Sequence, residues 1–191
     1  RCGITAQTTV PGVVRDEAGQ LTGELREFAA MGLVAQLLAG HANTRLDAAT
    51  LNAFAQDGVN TGTTTLTDLG STSLLDDAGV AVYQNSVDEH YPARLSVFHL
   101  GVDIGVGTPT LKAAVSRLIE LRERNTQKLR FGHVKLMLDG SIQGFTARLL
   151  EPGYFGGQPN GIFTVGAEEF LTAFSEFHRA GLLVHVHCNG D

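Results

Sequence analysis

A lysine and two histidines stand in runs that should be among the most apolar of this chain. Lys135 interrupts Phe131 to Asp139, and His185 and His187 alternate within Leu182 to Cys188. A lysine inside a core strand is costly unless something pairs with it. One reading is an ion pair with an acid such as Asp68 or Asp139. The other is chemical: an amine that reacts with carbon dioxide becomes a carbamate, an anionic oxygen ligand able to bridge two divalent metals. Two histidines two residues apart on a strand share a face, so both imidazoles can point into one cavity, and imidazole suits zinc. His99, Asp68 and Asp139 stand at or next to the ends of apolar runs, where a carboxylate or an imidazole could orient a water or a neighbouring histidine. Cys188 falls on the face opposite His187 and is not read as a nucleophile.

Strands must hold these groups. Thr61 to Asp68, Arg94 to Leu100, Phe131 to Asp139 and Leu182 to Cys188 have the β-branched or apolar content of strands. Between them the sequence predicts a helix over Ser71 to Val80, one opened by Thr108 and Pro109, and one from Ala167 to Ala180 bearing Phe170, Phe174 and Phe177 at helical spacing. Upstream, residues 1–20 read as a small β-ribbon or an irregular excursion. Thr22 is predicted to cap a helix to about Ala39, stopped by Gly40, and Thr44 with Asp47 to open another that Gly58 closes. Strand–helix alternation argues a parallel sheet with right-handed crossovers. On the third strand His133, Lys135, Met137 and Asp139 share one face, which lines the interior if the sheet belongs to a barrel. Gly140 to Gly166 is too long for an ordinary connection, and its Phe145, Tyr154 and Phe155 are expected to shape a substrate pocket. The glycines of Gly101 to Gly107 resemble a phosphate loop, but their spacing misses the dinucleotide pattern and no lysine follows in Walker position.

Composition removes several classes of function. A formal net charge of -6 gives nucleic acid and acidic membranes no reason to bind. No apolar run approaches the roughly 18 residues of a membrane span. Cys2 and Cys188 make no disulfide framework, so a cytoplasmic setting is expected. With 191 residues the chain falls short of the about 250 of an eight-stranded α/β barrel. Its abrupt ends at Arg1 and Asp191 read as those of an internal stretch of something longer.

The order and spacing of several strings resemble the amidohydrolase superfamily, in its third branch of metal-dependent hydrolases related to N-substituted formamide deformylase. The strings are Gly3-Ile4-Thr5, Val14-Arg15-Asp16-Glu17-Ala18-Gly19, Leu21-Thr22-Gly23-Glu24-Leu25-Arg26-Glu27 and Gly58 to Asp68. The most specific is Val134-Lys135-Leu136-Met137-Leu138-Asp139-Gly140-Ser141, followed by Thr146-Ala147, Glu151-Pro152 and His187-Cys188-Asn189-Gly190-Asp191. The resemblance implies an α/β fold, part of a (β/α)8 TIM barrel, in which the four strands are the second to the fifth. Residues 1–40 would be an excursion after the first strand and residues 41–191 a partial barrel. It implies a metal site in which Lys135, carboxylated in many relatives, is the fourth-strand ligand and His187 the fifth-strand ligand. His185, where relatives usually have an apolar or small residue, is then a neighbour of the ligands. The family's first-strand histidine pair, sixth-strand histidine and eighth-strand aspartate have no counterpart here, so no catalytic set is complete in this chain.

The implied activity is hydrolysis of a non-peptide carbon–nitrogen bond, of amide or formamide type, by metal-activated hydroxide. The implied cofactor is one or two divalent ions, zinc by preference. The implied partners are a small amide-like substrate and either the remainder of the barrel or a homo-oligomeric copy. The competing expectation is a catalytically inactive or structural piece of such a barrel.

Overall fold

The computed structural model describes residues 2–35, 37, 46–101 and 109–191. The expectations placed on Gly40, Thr44, Thr108 and the glycine-rich stretch 102–108 lie outside the described residues. Two compact units divide the chain: Arg1–Thr44 with Met137–Gly166 and His187–Asp191, and Arg45–Leu136 with Ala167–Val186.

The first unit opens with strands β1 (Val13–Arg15) and β2 (Leu21–Leu25), which pair antiparallel. Asp16 makes the turn between them, its Oδ1 accepting from Ala18 N at 3.0 Å and Gln20 N at 2.8 Å. Helix α1 spans only Glu27–Gly32. The helix expected from Thr22 is therefore corrected: Leu21–Leu25 is strand, and Gly23 has φ +88°, which no α-helix accommodates.

The second unit holds helix α2 (Ala48–Asn60), strand β3 (Thr65–Ser71), helix α3 (Asp77–Ser86), strand β4 (Arg94–Leu100), helix α4 (Pro109–Arg122) and helix α5 (Ala167–Arg179). Strands β5 (Leu129–Met137) and β6 (Leu183–His187) complete the sheet and end at the boundary of the first unit. The sheet order is β3-β4-β5-β6, the order of the chain, and the β3–β4 and β4–β5 pairs are parallel. This arrangement of consecutive βα units is that of part of an eight-stranded α/β barrel. Two boundaries moved for visible reasons. Asp47 is itself the N-cap of α2, accepting from Thr50 N at 2.8 Å, and Gly58 stays inside that helix. Ser71 is held in β3 by pairing with His99, so α3 starts six residues later than the sequence suggested.

One face of the sheet meets the helices. Leu95, Val97, Leu129, Phe131, Val134 and Leu136 share a core with Leu51, Tyr83, Leu118 and Phe177. Strict alternation would put Phe131 on the same face as Lys135. It does not, because β5 contains an extra residue: Ser96 pairs with Arg130 and Phe98 with His133. Gly132, at φ +85°, is the bulge. Before it the odd-numbered residues face the helices; after it the even-numbered ones do, and His133 and Lys135 turn to the other face.

Candidate functional site

Lys135 is 7% exposed on the face away from the helical core. Its Nζ lies 3.1 Å from His185 Nδ1. A lysine nitrogen donates, so Nδ1 supplies the lone pair. Phe98 walls the pair: its ring lies 4.8 Å from that of His133 and 6.1 Å from that of His185, centroid to centroid. Burial pulls the Lys135 amine below its ordinary pKa. Burial likewise lowers His133, helped by the Arg130 charge and opposed by a backbone hydrogen bond at Gly132, so the net direction favours the neutral ring.

The ion-pair reading of Lys135 is not what the structure shows. Asp68 lies on the helical side, where it accepts a 2.6 Å hydrogen bond from Tyr83 Oη and one of 2.9 Å from Gly70 N. Burial, with the Asp68 carboxylate beside it, pushes the Tyr83 phenol well above its ordinary pKa. His99, 1% exposed, pairs with Val134 and so also belongs to the helical face. Asp139, 2% exposed, is a clamp for the backbone: Oδ1 accepts from Asn189 N at 2.9 Å, and Oδ2 from Gly190 N at 2.6 Å and Arg148 N at 3.0 Å.

In the first unit that clamp positions His187. Leu138 N donates to His187 O at 2.9 Å, which extends the β5–β6 pairing past Met137. His187 Nε2 lies 2.8 Å from Gly140 O and 3.0 Å from Asn189 Nδ2, while Asn189 Nδ2 donates to Gly140 O at 3.0 Å. A carbonyl can only accept and an amide nitrogen only donate, so the two contacts ask opposite things of Nε2. The carbonyl is the closer, and Asn189 Nδ2 is already satisfied by that same carbonyl, which assigns the proton to Nε2 and the lone pair to Nδ1. An imidazole anchored through one N–H to a backbone carbonyl is the form a metal-binding histidine usually takes. The donor type therefore fits a divalent ion. Among the described residues, no group of three or more His, Cys, Asp or Glu side chains is arranged to hold one.

The loop after Gly140 contains neither helix nor strand up to Ala167. Phe145 and Tyr154 pack edge to face at 5.3 Å, with Tyr154 Oη donating to Ala147 O at 2.9 Å, whereas Phe155 is fully exposed. Glu27, Thr146 and Asn189 stand within the strings that resemble the family, but no role was expected of any of them. A carboxylate's partner 119 residues away has no local signature. Asn189 alone carried a hint, in its place two residues after His187.

Parallel strands in chain order, joined by helical crossovers, define a class: an α/β fold with the arrangement of part of a barrel. The chain belongs to the Amidohydrolase family, whose sequence profile matches residues 1–191. Two solved structures share its fold. One is a crystal structure of an uncharacterized metal-dependent hydrolase from Pyrococcus horikoshii OT3, with TM-score 0.55 and 16% identity over 93% of this chain and 34% of that one. The other is an uncharacterized metal-dependent hydrolase from Pyrococcus furiosus, with TM-score 0.56 and 19% identity over 93% of this chain and 35% of that one. The chain thus spans about a third of the length of these structures. No curated protein matches it. Among the described residues no helix is long and apolar enough to cross a membrane.

Proposed function

We propose that this chain contributes the fourth- and fifth-strand ligands of a metal-dependent hydrolase acting on non-peptide carbon–nitrogen bonds of amide or formamide type. The carrying observation is Lys135: a buried amine that faces His185 and not a carboxylate, and whose pKa burial lowers. A neutral amine is the form that adds to carbon dioxide. The nitrogen lone pair forms the N–C bond, one N–H proton is released, and the product is a carbamate anion. His185 Nδ1, at 3.1 Å, holds the amine in place and is the nearest base for that proton. His187, through Nδ1, is the second donor. A bound divalent ion, zinc in the first instance, supplies Lewis acidity toward a carbonyl and acidifies water. The edge-to-face pair Phe145 and Tyr154 offers apolar surface for a small amide-like substrate, and Phe155 is a fully exposed aromatic of the same loop. The remaining donors come from the rest of the barrel or from a second copy.

Metal content tests the reading. The full-length protein is compared with its Lys135→Ala and His187→Ala variants for bound metal and for turnover of N-substituted formamides. Loss of metal in both supports the assignment. Unchanged stoichiometry and activity in both refutes it and leaves the structural reading, in which these groups only stabilise the barrel.

A further inference from the structure

Glu27 has an unusual backbone. It is the first residue of α1 and has φ +63°, a left-handed conformation that a residue with a Cβ adopts only when its surroundings impose it. The imposition is visible. Arg26 N donates to Gly12 O at 2.8 Å, and a Cβ on Gly12 would come within 1.9 Å of Arg26 O, so the chain entering α1 is pressed against the ribbon. What this fixes is the carboxylate, which accepts a hydrogen bond from Thr146 Oγ1. Thr146 is 3% exposed.

From Thr146 the contacts lead to His187. Thr146 Oγ1 accepts from Ser141 N at 2.9 Å, and Thr146 N donates to Ser141 O at 3.0 Å. Gly140 N donates to Thr146 O at 3.2 Å, and Gly140 O is the acceptor that faces His187 Nε2. The packing is close: a Cβ on Gly140 would lie 2.2 Å from Thr146 Oγ1 and 2.4 Å from Glu27 Oε1. The Gly140 peptide therefore cannot rotate without displacing the Glu27–Thr146 pair.

We infer that Glu27 is a positioning residue for His187: through Thr146 it fixes the Gly140 carbonyl that selects the Nε2–H tautomer and leaves Nδ1 free to bind metal. This rests on the reading of His187 as a ligand, but its test does not. Imidazole nitrogens of the metal-free full-length protein are labelled with nitrogen-15, and His187 is assigned by the loss of its signals in His187→Gln. The wild type and Glu27→Gln, whose amide oxygen still accepts from Thr146, show a single Nε2–H tautomer. Glu27→Ala and Thr146→Val show an exchanging mixture. Glu27→Gly melts above Glu27→Ala, because only glycine occupies the left-handed conformation without strain. A single Nε2–H tautomer persisting in Glu27→Ala and Thr146→Val, or no rescue by Gln, overturns the proposal. If Glu27→Ala fails to fold, Thr146→Val, which removes one hydroxyl with little change of shape, decides alone. In the metal-loaded full-length protein the mispositioned variants bind about 10–100-fold more weakly. A tautomer shift in a protein that binds no metal even as wild type refutes the ligand reading and leaves the positioning role standing.

Discussion

Gly132 decides which way Lys135 faces, and Gly132→Ala measures how strongly. The substitution meets two costs. A residue with a Cβ loses about 1–2 kcal/mol in the left-handed region, and Gly132 has φ +85°. Its new Cβ would also lie 3.0 Å from Arg122 Cβ and 3.2 Å from Arg122 Cγ and Cδ, so the arginine stem must give by a few tenths of an ångström. Together these come to about 2 kcal/mol, inside the roughly 1–3 kcal/mol typical of such strained positions. The strand could escape by losing its bulge, but that would turn either Leu129 and Phe131 or His133 and Lys135 to the wrong face. Leu129 is 1% and Phe131 0% exposed, and each is worth about 1.5–3 kcal/mol of burial. A slip therefore costs about 3–6 kcal/mol, and the strained bulge survives. Urea denaturation followed by far-UV circular dichroism should show a lower midpoint with an unchanged slope. Gly132→Asn, which tolerates positive φ better, should lose less than Gly132→Ala. A loss below about 0.5 kcal/mol, the range of an ordinary surface change, or an Asn variant no better than Ala, would refute the bulge as the element that sets the face.

Two further outcomes follow from the site. Asp139→Asn keeps one acceptor oxygen where the carboxylate serves three backbone N–H groups; the loss is about 1.5–3 kcal/mol for each charge-assisted bond forfeited. Amide exchange at Arg148, Asn189 and Gly190 should accelerate, and unchanged protection there would contradict the clamp. His133 has a depressed pKa in the folded state, so the unfolded chain takes up its proton first as pH falls. Its contribution to stability is complete above the ordinary value of about 6.5 and is lost as pH falls from there toward the lowered pKa of the folded state. Melting temperature against pH should show this slope in the wild type and not in His133→Gln; identical profiles would count against a neutral, partly buried ring.

The sequence by itself determined the parallel sheet in chain order, because strand and helix periods alternate at the spacing that crossovers need. Arg94–Leu100 appears with the bounds that its apolar run suggested, and the sheet and helices agree with the sequence in kind along β3 to β6. The order of motifs around Lys135 and His187 sufficed for the family, which the match over residues 1–191 shows. Only the tertiary structure decided what faces what. Alternation along a strand cannot reveal an inserted residue, so the reversal at Gly132 is seen only in the pairing of Ser96 with Arg130 and Phe98 with His133. Asp68 and His99 looked equivalent to the site residues because each lies in or near the end of a strand, but which face they occupy depends on the register of neighbours. The helix expected from Thr22 failed for a similar reason: the apolar spacing of Leu25 and Phe28 suits a helix, yet pairing of β1 with β2 claims the backbone first. Glu27 and Thr146 meet across 119 residues, and a contact of that range is fixed by the folded chain, since no local pattern of residue types encodes it.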